Sequence, residues 1–172
     1  MLNELISQSE ALVFFTGAGI STNSGIPDFR GPKGIWKTSQ PIYFQDFVNS
    51  EEKRVESWER KFSNELNINK AKPNQGHQKI AEIMKSKDLS HLITQNVDNL
   101  HQESGVSDSQ ITELHGNATY AKCLDCQLRY DLAKLKESFL STKVPPLCNE
   151  CNGLIKTATI SFGQPMPEEE MI

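Results

Sequence analysis

Two cysteine pairs, Cys123-x-x-Cys126 and Cys148-x-x-Cys151, carry the most specific chemistry in the chain. Each pair offers two thiolates from one tight turn, and together they supply four sulfurs for tetrahedral zinc at ~2.3 Å. The stretch between the pairs is slightly longer than the usual zinc-ribbon gap. With every ligand position filled by protein, such a zinc holds structure rather than doing chemistry. Disulfides and a dithiol redox motif are the competing readings. A second chemistry sits in Gly17-Ala18-Gly19-Ile20-Ser21, directly after the apolar run Ala11-Leu12-Val13-Phe14-Phe15. Glycines after a strand let the backbone approach a ligand with no Cβ in the way. A helix opening in this loop would aim free N–H groups and a positive dipole end at a phosphate. That is a dinucleotide-binding entrance, although Gly25 comes too late for the usual Gly-x-Gly-x-x-Gly spacing. A plain strand-to-helix turn is the alternative.

Two polar clusters complete the set. Thr94-Gln95-Asn96-Val97-Asp98-Asn99-Leu100-His101 follows the strand-like residues 89–94, and His115-Gly116-Asn117 follows residues 111–114. In open α/β sheets ligands gather at the carboxyl ends of strands. Gln95, Asn96 and Asp98 therefore read as ligand contacts rather than a simple turn. For His115 the catalytic and structural readings stand level. His77, His91 and His101 read as structural.

The elements that must position these groups follow from periodicity. Leu2, Leu5 and Ile6 fit one face of a short opening helix, and residues 11–15 read as a buried strand. Pro27, Gly31, Pro32 and Gly34 make an irregular loop of the kind that is functional or mobile. A short helix fits residues 43–48. Val55, Trp58, Phe62 and Leu66 fall at helical spacing over 51–66, with Trp58 and Phe62 expected to pack. Asn74 is a fair N-cap for a helix carrying Ile80, Ile83 and Met84. Leu132, Leu135 and Phe139 predict a short helix between the cysteine pairs, and residues 155–160 return to strand-like composition. Ser161-Phe162-Gly163-Gln164-Pro165-Met166-Pro167 is again a loop, and Glu168 to Ile172 could start a helix.

Composition narrows the class. A chain of 172 residues fits one domain or one domain with a small insert, and a formal net charge of −4 argues against a general nucleic-acid surface. No apolar run approaches ~18 residues, so no membrane span is expected. No secretory signal is visible at the start. Paired cysteines in such a chain point to a reducing, cytoplasmic setting.

Taken together, these motifs resemble the sirtuin family of NAD-dependent protein lysine deacylases. The match runs through Gly17-Ala18-Gly19-Ile20-Ser21, Gly25-Ile26-Pro27-Asp28-Phe29-Arg30, Thr94-Gln95-Asn96-Val97-Asp98, His115-Gly116, both cysteine pairs and Ser161-Phe162-Gly163. The resemblance implies an α/β fold: a Rossmann-type parallel sheet, incomplete at the C-terminus, with an inserted small lobe of helices and a four-cysteine zinc ribbon. Residues 1–36, 73–120 and 155–172 would form the Rossmann lobe, 37–72 the helical insert and 121–154 the zinc ribbon. The cofactors implied are NAD+ as co-substrate and structural Zn2+ on Cys123, Cys126, Cys148 and Cys151.

By resemblance, Gly17, Ala18 and Gly19 hold the NAD+ pyrophosphate, and Arg30 lies near the phosphates and nicotinamide ribose. Phe29 screens the reacting ribose carbon, while Asp28 and Trp36 join the cofactor-binding set. Gln95 and Asn96 position the ribose, Asn96 counting with His115 as catalytic. Asp98 and the Ile26 backbone bind the carboxamide. His115 is the general base, a role that suits an imidazole. The expected partners are acyl-lysine proteins, with no nucleic acid and no membrane.

Three features depart from the family. The later Rossmann strands and the adenosine contacts are absent, so weak or no activity is expected of the isolated chain. Gln164 stands where Glu is common. A Tyr-x-x-Arg pair associated with acidic acyl groups lacks its Tyr before Arg60, which points to neutral acyl groups, since a buried carboxylate without paired cations is costly. Two other functions compete: ADP-ribosyl transfer at the same site, and a non-catalytic zinc-ribbon binding module.

Overall fold

A short helix, α1 (Leu2–Gln8), leads into β1 (Ala11–Thr16). The structure is a computed structural model that describes residues 2–32, 34–37, 39–63 and 68–166. Parallel strands cannot be joined by a hairpin, and a long crossover follows β1. It holds a 3-10 helix (Ala18–Ser24), α2 (Phe44–Asn49), α3 (Glu51–Phe62) and α4 (Gln75–Lys85). The chain then returns as β2 (Leu89–Thr94), and α5 (Leu100–Glu103) leads to β3 (Ile111–Glu113). These strands form one parallel sheet in the order β1-β2-β3. Thr16 pairs with Thr94 and Thr94 with Glu113, so the three carboxyl ends are level.

The helices start where their caps say they should. Asn74 accepts the Gly76 N–H at 2.8 Å, and His77 Nδ1 accepts the Asn74 N–H at 3.3 Å, a reciprocal capping box. α4 then lays Ala81 and Met84 on Leu92, with Phe14, Val106 and Ile111 around them. On the other face, several apolar side chains stand exposed among the described residues. Val13 is 68% exposed, Phe15 61% and Leu89 66%. Among the described residues β1 is therefore an edge strand covered on one side, where its composition predicts a buried strand. An apolar run fixes strand type, but burial of both faces needs a second layer.

A second sheet is antiparallel, in the order β5-β4-β6. It is built from β4 (Gly116–Cys123), β5 (Arg129–Asp131) and, after α6 (Leu132–Thr142), β6 (Ile155–Thr159). Ser50 caps α3 by accepting the Lys53 N–H at 3.2 Å, and Asp131 caps α6 by accepting the Ala133 N–H at 2.6 Å. Trp58 of α3 and Leu135 and Phe139 of α6 bury against Cys123, Cys148 and Ile155. Trp58 stacks on Phe62 at 5.4 Å, and Phe62 meets Phe139 at 5.8 Å.

β4 and β6 pair with each other across the residues 120/121 and 154/155. β4, which has no clear apolar alternation, already belongs to the antiparallel sheet from Gly116. β6 joins it as well and does not return to the parallel sheet. The cysteine pairs explain this: closing Cys148 and Cys151 onto Cys123 and Cys126 carries Ile155 opposite Cys123. The helix over 51–66 stops at Phe62, and 64–67 lie outside the described residues, as does the helix expected from Glu168.

Candidate active site

Because the parallel strands end level, whatever follows them meets. Gly17 follows β1, Gln95 follows β2 and His115 comes two residues after β3. The Gln95 N–H donates to Thr16 O at 3.0 Å, and the Leu114 N–H donates to Thr94 O at 3.0 Å. The helix in the glycine loop is 3-10 rather than α, and it ends at Gly25 with φ +87°. The space in front of Gly17 and Gly19 is open.

An open cavity of about 720 Å³ lies at these strand ends. Ala18, Asp28, Phe29, Arg30 and Trp36 line it on one side, and Gln95, Asn96 and His115 on another. Phe29, Trp36 and Phe162 form an aromatic wall, with centroids 5.2 and 5.8 Å apart. Arg30 is exposed and pairs with no carboxylate among the described residues. Asp28 accepts the Gly31 N–H at 2.8 Å, which shapes the loop. Gly17, Gly19, Ile26 and Asp98 are not part of the lining. Ile26 and Asp98 are buried just behind it.

His115 is held in one tautomer. Its Nδ1 lies 2.9 Å from the carbonyl oxygen of Gln95. A carbonyl can only accept, so Nδ1 carries the hydrogen and Nε2 the lone pair. The Ile160 N–H donates to His115 O at 2.8 Å. Gly116, at φ +69°, lets β6 pass close, since a Cβ there would sit 2.0 Å from Ala158 O.

Asp98 is gripped by a network that the motifs alone do not reveal. Ser21 Oγ donates to Asp98 Oδ2 at 2.6 Å and accepts from Asn96 Nδ2 at 3.2 Å. The second Asn96 N–H reaches Gly17 O at 3.2 Å. His77 Nδ1 is engaged by the capping box, so Nε2 carries its hydrogen and faces Ser21 Oγ at 3.4 Å. The Leu100 N–H donates to Asp98 Oδ1 at 3.0 Å. His77 is thus structural as expected, but its partners make it a support of the site. The alternating Ser21, Asn96 and Asp98 could have flagged this network only had their distant contacts been known.

His101 is fully buried against His77, with ring centroids 4.9 Å apart, and contacts Thr16 Oγ1 through Nε2 at 2.9 Å. Burial first, then His77 beside it, pushes its pKa down to about 4, with Asp98 pulling the other way. Burial also lowers His77. A histidine depressed in the fold binds its proton in the unfolded chain first, so stability falls as pH drops below the ordinary value of 6.5 towards about 4. The urea midpoint is expected to fall steeply between those limits, and His101→Gln should flatten the slope. An identical slope in that variant would show that the histidine is not responsible.

The four cysteines form a separate centre. Their Sγ atoms all lie within 4.8 Å of one another, with Cys123–Cys151 at 3.4 Å and Cys126–Cys148 at 3.5 Å. Disulfide sulfurs sit at about 2.05 Å, so none is formed. Sulfurs ~2.3 Å from a tetrahedral zinc would be ~3.8 Å apart, so the donor set fits that ion. Gln127 and Asn152, each after the second cysteine of its pair, both take φ +60° and close the two knuckles alike.

The Sir2 family model matches residues 17–172. The chain belongs to the Sir2 family. It is 47% identical over 170 residues to an NAD-dependent protein deacetylase of Rhodopseudomonas palustris, covering 99% of this chain and 67% of that relative. It is 49% identical over 170 residues to NAD-dependent protein deacetylase 1 of Bradyrhizobium diazoefficiens, covering 99% of this chain and 66% of that one. A solved Sir2 variant with a deacetylated p53 peptide and 3′-O-acetyl ADP ribose superposes with a TM-score of 0.83 at 34% identity, over 99% of this chain and 68% of that one. A Sir2 bound to an acetylated peptide gives 0.81 at 33% identity, over 99% and 66%. This Sir2-family chain thus spans about two thirds of the length of the curated relatives it matches. Among the described residues no helix is long and apolar enough to cross a membrane.

Proposed function

We propose that this Sir2-family chain carries the catalytic residues of an NAD+-dependent protein lysine deacylase. The observation that carries the reading is the meeting of His115, Asn96 and the glycine loop at one cavity, with Asp98 buried behind it. When bound, NAD+ would supply an electrophilic ribose carbon for the acyl oxygen of a modified lysine, with nicotinamide as the leaving group; one water is consumed, and nicotinamide, free lysine and O-acyl-ADP-ribose would be the products.

The chain's own residues then have these tasks. Gly17, Ala18 and Gly19 leave room for the pyrophosphate, and Arg30, exposed at the cavity, meets its charge. Phe29, packed on Trp36, shields the ribose carbon. Asn96 has both amide hydrogens engaged by the protein, so its oxygen is what remains to orient the ribose, with Gln95 beside it. Asp98 offers its remaining lone pairs to the carboxamide, with Ile26 alongside. His115 takes a proton from a ribose hydroxyl at Nε2, with the Gln95 carbonyl steadying the positive ring. Cys123, Cys126, Cys148 and Cys151 hold Zn2+, which does no chemistry here. A reducing, cytoplasmic setting suits four thiols left free of disulfides.

Arg60 lines the cavity, but its guanidinium is engaged by Glu56 and donates to Gln40 O at 2.6 Å. Lys61 donates to Ala118 O at 2.6 Å, and burial lowers its pKa. With those cations engaged and Ile35, Ile42, Val97 and Ile160 also lining the cavity, neutral acyl chains fit best. The test offers NAD+ with acetyl-lysine and succinyl-lysine peptides to this chain joined to the later Rossmann strands, since weak or no activity is expected of the chain alone. Nicotinamide release is expected with the acetyl peptide and at least tenfold less with the succinyl one. Transfer of ADP-ribose to protein without loss of the acyl group would favour the competing transferase reading.

Ser21→Ala removes a hydrogen bond to a buried carboxylate, a loss of about 1.5–3 kcal/mol. A roughly tenfold to hundredfold drop in kcat/KM for NAD+ is expected from steady-state kinetics. A change under twofold would mean that Ser21 does not hold Asp98 for the cofactor.

A further inference from the structure

We propose that the Tyr130 hydroxyl is a working part of the zinc centre, donating a hydrogen bond to the Cys148 thiolate and so helping to retain the metal; this rests on the four-cysteine site holding zinc. Tyr130 Oη lies 3.0 Å from Cys148 Sγ. The direction of the bond is fixed by a second contact. The Asn149 N–H donates to the same oxygen at 3.1 Å. An amide can only donate, so Oη accepts there and its own hydrogen is left for the sulfur. The ring is held in place from behind, packed at the edge of the cluster formed by Trp58, Leu135 and Phe139.

The two knuckles show that this hydroxyl is an addition. Their backbones are matched. Gln127 N–H donates to Cys123 O at 3.2 Å, and Asn152 N–H donates to Cys148 O at 2.8 Å. Cys123 N–H reaches Leu128 O at 2.9 Å, and Cys148 N–H reaches Gly153 O at 2.8 Å. Four residues after its second cysteine, the first knuckle has Tyr130. The second has Ile155 there, buried and without a donor. The turn itself therefore needs no hydroxyl. It falls on one sulfur, and it reaches across from the opposite knuckle.

Zinc held by four thiolates is doubly negative overall, and that charge must be spread or neutralised. Hydrogen bonds to the ligating sulfurs do this, and losing such an outer partner typically costs ten- to a hundredfold in metal affinity. Tyr130 also links the knuckles without the metal's help, so it aligns Cys148 before the ion arrives.

Tyr130→Phe in the full chain keeps the ring and deletes the donor. Its zinc dissociation constant, from chelator competition, is expected to rise about ten- to a hundredfold. The sulfur-to-cobalt charge-transfer band of the Co2+-loaded protein is expected to shift, a signature that packing alone does not move. Unchanged affinity with an unmoved band would overturn the proposal. Cys148→His keeps a ligand but removes the sulfur. In that background Tyr130→Phe should have no effect on zinc affinity, and a cost as large as in the parent chain would equally overturn it.

Discussion

In this chain joined to the later Rossmann strands, replacing His115 with alanine is expected to lower NAD+-dependent deacylation about a hundredfold to ten-thousandfold, the usual span for a lost general base. The argument is geometric. The Gln95 carbonyl holds the hydrogen on Nδ1, so the basic Nε2 is the atom left for substrate. Among the described residues the side chain makes no other hydrogen bond, so its loss should leave the fold intact. Zinc content, far-UV circular dichroism and the affinity for NAD+ should therefore stay within a few-fold of the parent. A variant that turns over undiminished would remove His115 from the mechanism. One that loses NAD+ binding along with turnover would make it a structural residue.

Removing zinc should have an effect of a different kind. Metal binding to such sites amounts to an apparent ~10–16 kcal/mol at neutral pH in small zinc peptides. Whole domains are stable by only about 5–15 kcal/mol. Cys123 and Cys148 belong to the same buried cluster as Trp58, Leu135 and Phe139. A second cluster, of Ala81, Met84, Leu92 and Val106, is built from other elements. Chelation is therefore expected to abolish hydrogen-exchange protection across β4, β5 and β6 and to loosen α3, which carries Ser57, Arg60 and Lys61 into the cavity wall. Protection across β1 and β2 should persist. Uniform loss throughout, or no loss at all in β4–β6, would contradict the division into two cores.

The sequence displayed the chemistry more clearly than the architecture around it. Glycine spacing, the polar run after residue 94, the His-Gly step and the paired cysteines each mark a local backbone or ligand requirement, and such requirements survive in a linear string. What stayed hidden depends on distant partners. β6 has strand composition, but only the closure of the cysteine knuckles decides that it pairs with β4. Phe15 looks like core until it is seen to stand exposed among the described residues. Ser21 and His77 look like a loop serine and a helix-start histidine until Asp98, far along the chain, is found against them.

The decisive measurement is the structure of this protein with NAD+ bound. The account requires the carboxamide within hydrogen-bond distance of Asp98 and the Ile26 backbone, the pyrophosphate against Gly17–Gly19, and the nicotinamide ribose between Asn96 and His115 Nε2. A nucleotide bound away from the carboxyl ends of β1, β2 and β3, or with its ribose out of reach of His115, would contradict it.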